Sequence, residues 1–294
     1  MRLPDGVLSM VDRGPDWADW VQRLPRLRSD LMEEWGLTAD GWMMHGYCSL
    51  VVPATDPDGQ RVVLKLTVDS DVESQHEHLA LQSWGGDGAV RLLRADPHRR
   101  ALLLERLDPT DLRDVWDVEA CEVVADLWAK LHQPALPQLL PLAEYVARWV
   151  DELVTEAPAA VPRRMIEQTA SIAKDLLAAP GHEARTLHGD LHYYNVLSSD
   201  RGWLAIDPKP MAGDPHYEVA PMLWNRTEEL KGDFRDGVRR RFHTLIDAGG
   251  LDEDRARDWV IVREVLNASW ASGSGVDDQE AVTVALSIAK AVQD

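Results

Sequence analysis

The spacing of apolar residues changes near residue 108, and this change limits the folds that the chain can adopt. Before it, short apolar runs such as Leu50–Val52 have the length of β-strands and are separated by turn signals such as Asp56-Pro57-Asp58-Gly59. A single helix is predicted there, from Val72 to Trp84. After Pro109, apolar residues recur mainly at helical spacing. The chain is therefore predicted to combine a strand-rich part with a larger helical part.

The length of the chain supports a division into two lobes. At 294 residues it exceeds the usual size of a single hydrophobic core. We predict an α+β fold, with a small β lobe at residues 1–107 and a larger, mostly helical lobe at residues 108–294. The strands predicted for the small lobe are 42–44, 50–52, 61–66, 89–93 and 101–107, and the helices predicted for the large lobe are 118–131, 142–153, 165–177, 234–248, 256–271 and 279–292.

One island without helical periodicity interrupts the large lobe, and it carries the polar residues with the clearest chemistry. It contains His188-Gly-Asp190-Leu-His-Tyr-Tyr-Asn195, a predicted hairpin, and then Ile206-Asp207. In this spacing, Asp190 can accept a hydroxyl proton, and the amide oxygen of Asn195 and the carboxylate of Asp207 can reach one metal ion. Mg²⁺ prefers such oxygen ligands and bridges them to phosphates. The pattern is typical of kinase-type phosphoryl transfer.

These residues resemble a known family. The block around Asp190, followed by Ile206-Asp207, is similar to the motifs of aminoglycoside phosphotransferases and choline-kinase-like enzymes. The segments Asp207–Tyr217 and Leu223–Arg226 resemble those of the streptomycin 6-kinase and hydroxyurea phosphotransferase branch, and the similarity extends from about Trp17 to about Trp270. The resemblance implies a protein-kinase-like bilobal fold, ATP and Mg²⁺ as cofactors, Asp190 as catalytic base, and Asn195 and Asp207 as metal ligands.

A lysine in the small lobe is predicted to contact the phosphates of ATP. Lys65 lies inside an apolar strand, where a charge must be paired or must bind an anion. In kinase small lobes such a lysine grips the α- and β-phosphates and pairs with a helix glutamate. Glu77 and Glu73 both lie in the predicted helix, and the match to the family favours Glu77. A solvent-facing lysine on an edge strand is the alternative.

Two further segments are predicted to contact the nucleotide. The chain has no Gly-x-Gly-x-x-Gly and no P-loop motif. The turn Gly46–Ser49 lies between two strands, and in the family a serine at this place, here Ser49, meets the phosphates together with backbone amides. A plain surface turn is equally compatible. By its position, the backbone from Glu105 to Leu107 is predicted to be the hinge that binds adenine.

The sequence constrains the identity of the phosphate acceptor less than it constrains the nucleotide-binding residues. The resemblance favours a streptomycin-like aminoglycoside and hence antibiotic inactivation, with glucosamine or hydroxyurea as alternatives. Asp214 and Glu218 are candidate acceptor ligands, although they can also cap local loop structure. Two other function classes stay open: a metal-dependent hydrolase that uses His188 and His192, and a catalytically inactive nucleotide-binding regulator.

The charge balance indicates the kind of partner. The formal net charge of −19 disfavours nucleic acid and anionic membranes and favours a cationic small molecule, although it can also serve solubility alone. No secretory signal and no apolar run of membrane-spanning length is visible, and two isolated cysteines do not form a disulfide framework. A cytoplasmic protein is predicted, and its oligomeric state is left open.

Overall fold

The structure, a computed structural model, describes residues 2–178, 184–273 and 278–293. The chain divides into two compact units, Met1–Asp108 and Pro109–Asp294. The boundary lies one residue beyond the predicted end of the small lobe. The first unit is built around a β-sheet and the second is mainly helical, so the predicted fold class is confirmed.

The first unit contains a six-stranded sheet in which every described neighbour pair is antiparallel. Its strands are β1 (Thr38–Ala39), β2 (Met44–His45), β3 (Ser49–Thr55), β4 (Arg61–Thr67), β5 (Leu92–Asp96) and β6 (Ala101–Glu105). They follow the order β1-β3-β4-β6-β5, and β2 also pairs with β3. The prediction of strand 89–93 was wrong in its bounds, because residues 89–91 precede β5. Asp96 then ends β5 by capping the turn Pro97–Arg99.

Three α-helices accompany this sheet in the described part of the first unit, where only one was predicted. They are α1 (Asp5–Leu8), α2 (Pro15–Glu34) and α3 (Glu77–Trp84). Helix α2 was missed although Trp20, Leu24 and Leu31 are buried at helical spacing. Its internal Pro25 is exposed, so the backbone carbonyl that the proline leaves without a partner can face water.

The predicted start of α3 at Val72 was also wrong. The segment before Glu77 forms turns, because the hydroxyl of Ser74 donates to Asp71 and the side chain of Arg100 donates to the carbonyl of Asp71 and to Ser74. These contacts hold the chain out of a helix until Glu77. The glycine end of the helix, at Gly85, was predicted correctly.

All six helices predicted for the second unit are present, and the described residues of this unit add one short helix. They are α4 (Asp117–Leu131), α5 (Leu142–Glu156), α6 (Arg163–Ala178), α7 (Pro221–Trp224, not predicted), α8 (Phe234–Gly249), α9 (Glu253–Gly273) and α10 (Gln279–Ala291). Helices α5, α6, α9 and α10 share one buried core that includes Val146, Ile166, Val262 and Ala285. No helix among the described residues is long and apolar enough to cross a membrane.

Short strands frame the polar island of the second unit. They are β7 (Leu140–Pro141), β8 (Arg185–Leu187), β9 (Val196–Ser199), β10 (Gly202–Ala205) and β11 (Met211–Gly213). Strands β9 and β10 form the predicted hairpin, with Val196 opposite Ala205. Strand β11 lies between β7 and β8 in a small sheet that was not predicted. The residues from His188 to Asn195 therefore connect the small sheet to the hairpin.

Candidate active site

His188 braces the loop that follows β8. Its side chain is fully buried; Nε2–H donates to the carbonyl of Ile206 at 3.0 Å, and Nδ1 accepts the backbone N–H of Asp190 at 3.3 Å. Burial lowers the pKa of the imidazole, which favours this neutral form. Because both ring nitrogens are used inside the loop, His188 cannot serve as the metal ligand that the hydrolase alternative requires.

Gly189 allows the loop to pass close to the next segment of the chain. It has φ of +82°, and a Cβ atom there would overlap the backbone carbonyl of Lys209. Its N–H donates to Glu218 Oε1, and its carbonyl accepts a 2.6 Å hydrogen bond from Nη2 of Arg263. Two buried charged side chains therefore hold the peptide groups next to Asp190.

Asn195 is oriented by its own loop. Its Nδ2 donates to the backbone carbonyl of Asp190 at 2.9 Å, and its backbone carbonyl accepts the N–H of Ile206 at 2.9 Å. With Nδ2 used in this way, Oδ1 is the amide atom left for a metal ion. Asp190 itself is half-buried, and His192 Nε2 lies 3.7 Å from its Oδ2.

Asp207 lies at the open end of the hairpin, close to Asn195. The pairing of Val196 with Ala205 places Asn195 opposite Ile206, which directly precedes Asp207. Asp207 has φ of +56°, a left-handed conformation that costs a residue with a Cβ about 1–2 kcal/mol. Such local strain is typical of functional positions. Asn195 can offer its amide oxygen and Asp207 its carboxylate oxygens, and such oxygen ligands fit Mg²⁺.

The hydrolase alternative finds no ligand set in the described part of the chain. Residues 2–178, 184–273 and 278–293 contain no group of three or more His, Cys, Asp or Glu side chains that could hold a metal ion. A magnesium ion in a kinase needs fewer protein ligands, because phosphate oxygens and waters complete its coordination.

Tyr193 anchors the His188–Asn195 loop to the interior of the second unit. It is fully buried, and the guanidinium groups of Arg226 and Arg241 lie 4.6 and 5.4 Å from its ring centroid. Arg241 contacts Asp117 at 3.3 Å, and Arg226 pairs with Glu229 at 2.6 Å. Tyr193 therefore has a structural role in this loop, whereas Tyr194 is exposed.

Asp214 is held by partners from within the second unit. Its Oδ1 accepts from Nδ1 of His216 at 2.6 Å, and its Oδ2 accepts from Nε1 of Trp259 at 2.7 Å and from Arg255. Burial alone would raise the pKa of this carboxyl, but the hydrogen bonds from His216 and Trp259 outweigh it and hold the pKa well below its usual range.

Glu218 is likewise committed to internal contacts. It is fully buried, and it accepts hydrogen bonds from Nε2 of His132 at 2.9 Å and from the N–H of Gly189. Each oxygen of Asp214 and of Glu218 thus has an internal partner. These internal contacts favour the alternative that the two carboxylates stabilise local loop structure over the expected role as acceptor ligands.

In the first unit, Lys65 and Glu77 form the predicted ion pair. Nζ of Lys65 lies 2.7 Å from both carboxylate oxygens of Glu77, and both side chains are buried. Glu73 lies in the turn before α3 and is half-buried. The choice of Glu77 over Glu73 is confirmed, and a solvent-facing Lys65 is excluded.

The other residues predicted to contact the nucleotide lie at the ends of strands in the same unit. Ser49 begins β3 and is 2% exposed. Glu105 ends β6 and donates its N–H to the carbonyl of Arg91 at 3.1 Å, and Arg106 donates to Arg61 at 3.3 Å. Leu107 follows outside the strand. Of these three amides, that of Leu107 is therefore the candidate donor for adenine.

Removal of the Lys65–Glu77 pair gives a testable prediction. Lys65→Ala is expected to lower kcat by about 10²-fold, because a buried cation that can stabilise phosphate charge is lost. Glu77→Ala should reproduce part of this loss, since Lys65 is no longer held in place. Glu73→Ala is the matched control, and a larger effect there than at Glu77 would contradict the assignment. Steady-state kinetics with MgATP provide the measurement.

Several residues near the loop were missed at the level of sequence. Arg263 and Glu264 are both buried in α9. The available signal was a charged pair inside the otherwise apolar run Trp259–Leu266. Tyr145, Trp149 and Trp270 were assigned only to helical periodicity, but they lie together on α5 and α9.

Comparison with known proteins agrees with the kinase-type chemistry that the site residues indicate. The family described as aminoglycoside/hydroxyurea antibiotic resistance kinase matches residues 34–275. The chain is 38% identical to streptomycin 6-kinase of Streptomyces griseus, over 94% of this chain and 92% of that protein. It is 40% identical to hydroxyurea phosphotransferase of Kitasatospora aureofaciens, over 87% and 76% of the two chains.

Solved structures with low sequence identity share the fold. Aminoglycoside phosphotransferase APH(4)-Ia superposes with a TM-score of 0.62 at 16% identity, covering 91% of this chain and 99% of that one. Choline kinase LicA from Streptococcus pneumoniae superposes with a TM-score of 0.61 at 13% identity, covering 91% and 99%.

Proposed function

Since the chain belongs to the family of aminoglycoside/hydroxyurea antibiotic resistance kinases, we propose that it transfers the γ-phosphate of ATP to a hydroxyl of a cationic, streptomycin-like aminoglycoside. The observation that carries the proposal is the Asp190–Asn195 loop. One hydrogen bond, from Nδ2 of Asn195 to the carbonyl of Asp190, fixes the base and the metal-facing amide oxygen relative to each other. Such fixed geometry is the main requirement of phosphoryl transfer.

The residues have distinct parts in this reaction. Asp190 accepts the proton of the acceptor hydroxyl, whose oxygen forms the new bond to the γ-phosphorus while the bond to the ADP oxygen breaks. Asn195 and Asp207 would hold Mg²⁺, which neutralises phosphate charge when bound. Lys65, held by Glu77, contacts the α- and β-phosphates. Asp214 and Glu218 act through the loop and do not touch the acceptor.

The nucleotide contacts in the first unit complete the proposal. The amide of Leu107 donates to adenine, and the carbonyl of Glu105 accepts from it. Ser49 and the amides of the Gly46–Ser49 turn, which lies between β2 and β3, contact the phosphates as hydrogen-bond donors. We retain the prediction of a cytoplasmic enzyme, since ATP is available there.

The acceptor assignment rests on relatives and charge. Relatives named for streptomycin and for hydroxyurea match with nearly equal identity. The net charge of −19 favours the cationic acceptor of the two, because long-range attraction concentrates a cation near an acidic protein. Hydroxyurea, which is neutral, and glucosamine, which carries one charge, are the alternatives.

Salt dependence of the acceptor KM separates these candidates. For a polycationic acceptor, KM is expected to rise steeply between low salt and about 0.5 M salt, because screening weakens its attraction to carboxylates. Glucosamine should show a shallow rise and hydroxyurea almost none. MgATP is kept saturating throughout, since its own phosphate contacts are screened as well. Phosphorylation of glucosamine without any phosphorylation of streptomycin would rule out the aminoglycoside assignment and leave the kinase chemistry intact.

A further inference from the structure

Three aromatic side chains form a cluster that the proposed chemistry does not use. Tyr145 and Trp149 lie one turn apart on α5, and Trp270 lies near the end of α9. The ring centroids are 6.2 Å apart for Tyr145 and Trp149, 6.4 Å for Tyr145 and Trp270, and 5.2 Å for the two tryptophans, all edge to face. Each side chain is half-buried, so the cluster keeps part of its ring surface open.

Helix α9 connects this cluster to the catalytic loop. Arg263 donates to the carbonyl of Gly189, the residue before Asp190, at 2.6 Å. Trp270 follows Arg263 by seven residues, so it lies on the same helix face about 10 Å further along the axis. Burial would lower the pKa of the Arg263 guanidinium, but Tyr217, Asp190 and Tyr145 together raise it. Arg263 is therefore within electrostatic range of both the loop and the aromatic cluster.

The same helix carries a buried carboxyl with an unused oxygen. Glu264 is fully buried, and its Oε1 has no hydrogen-bond partner in the part of the chain that the structure describes. Its Oε2 lies 3.5 Å from Nδ2 of Asn267. Burial raises the pKa of this carboxyl to about 8. Leaving such a group without a partner costs stability, so a function is the expected reason for its presence.

Glu264, Asn267 and Trp270 lie on one row of α9, because residues three apart are neighbours on a helix surface. The row runs from the carboxyl, through the half-buried amide of Asn267, to the aromatic cluster. Aromatic faces, an amide and a carboxyl are the groups that bind a hydroxylated ring with positive substituents.

The outer face of the cluster already accommodates a cation. Cζ of Arg148 lies 4.8 Å from the ring centroid of Trp149. A guanidinium is thus compatible with this ring face, and a cationic group of a ligand would take the place of the exposed Arg148 side chain there. The guanidinium of Arg263 is buried, with its Cζ 4.3 Å from the ring centroid of Tyr217 and 4.9 Å from that of Trp224.

We propose that Tyr145, Trp149 and Trp270, together with Asn267 and Glu264, form the subsite that binds a guanidinium- or ammonium-bearing ring of the acceptor. The inference rests on the proposed function and names residues for its acceptor. The ring stacks on the tryptophans, and a cationic substituent displaces the weak contact of Asn267 and pairs with Glu264. The hydroxyl to be phosphorylated then lies on the side of the ring that faces Asp190.

Calorimetric titration of streptomycin into the full-length protein loaded with MgADP tests the subsite directly. Trp149→Leu and Trp270→Leu are expected to raise the streptomycin Kd about tenfold each, since an aromatic face is lost. Trp270→Phe keeps a ring and should stay within about threefold of wild type. Glu264→Gln, which resembles the protonated acid in shape, should raise Kd without lowering the thermal midpoint.

Trp116→Leu is the matched control, because Trp116 is an exposed tryptophan of the same unit and belongs to neither helix. Unchanged Kd in both leucine variants and in Glu264→Gln would overturn the subsite, as would absence of streptomycin binding to wild type. Turnover by the wild type tests the proposed function separately. If the wild type phosphorylates streptomycin but the variants have an unchanged Kd, the subsite is rejected and the proposed function stands. If the variants bind streptomycin more weakly but the wild type does not phosphorylate it, the proposed function is rejected and the subsite stands. If the leucine variants fail to fold, Glu264→Gln decides the outcome, because it is the remaining variant that is expected to raise Kd.

Discussion

Asp190→Asn is expected to bind MgATP about as well as wild type and to lose kcat by about 10²-fold or more, the range of positioned acid–base groups. Asparagine has nearly the shape of aspartate, and the two backbone contacts of this residue, to His188 Nδ1 and from Asn195 Nδ2, remain possible. The loop should therefore stay folded while its proton acceptor is lost. Single-turnover phosphoryl transfer, with nucleotide binding measured by calorimetry, separates the two quantities.

Asp207→Ala provides the contrast for this experiment. It removes a proposed metal ligand, so magnesium-dependent ATP binding itself is expected to disappear. The substitution does not relieve the backbone strain at position 207, because alanine retains a Cβ at the position with φ of +56°. Near-wild-type turnover by Asp190→Asn, or unchanged magnesium-dependent binding by Asp207→Ala, would contradict the roles assigned to these residues.

Gly189→Ala is expected to destabilise the protein by about 3 kcal/mol and to reduce turnover together with stability. Positive φ costs a residue with a Cβ about 1–2 kcal/mol, and displacement of a packed neighbour costs a further 1–3 kcal/mol, so the two effects add to about this value. The neighbour is the backbone carbonyl of Lys209, which cannot move aside as a flexible side chain could. Its movement would also disturb the 2.7 Å hydrogen bond from Lys209 N–H to the carbonyl of His188.

Gly202→Ala is the matched control for this substitution. Gly202 has a similar φ of +91°, but nothing lies within 4 Å of the position of an added Cβ. It should lose only about 1–2 kcal/mol and retain turnover. Urea denaturation gives the free energy of unfolding for both variants. Equal losses at the two glycines would show that the close approach to Lys209 contributes nothing.

Much of the fold was predictable because its signals are local. Most of the long helices of the second unit have clear apolar periodicity, and the β9–β10 hairpin has a turn between two short apolar runs. Helix α2 has the same kind of periodicity, but Pro25 concealed it. The start of α3 could not be found from spacing, because Arg100, distant in sequence, holds the preceding turn.

The sequence by itself determined the block of residues to which we assign the chemistry. Asp190, Asn195 and Asp207 lie within 18 positions, and a short hairpin is enough to bring them together. Lys65 and Glu77 are likewise separated by one turn segment. In such cases the spacing limits the geometry so strongly that residue type and order suffice to predict the contact.

Only the tertiary structure decided what surrounds that block. Asp214 and Glu218 were candidate acceptor ligands until their partners were known, and those partners include Trp259 and His132, 45 and 86 positions away. Arg263 reaches Gly189 across 74 positions. A carboxylate in a loop has the same local signal whether it faces a ligand or a buried hydrogen-bond donor. Packing of distant helices decides between the two, because it determines which buried carboxylates have hydrogen-bond partners for both oxygens. Glu264 is buried with no partner for Oε1 among the described residues.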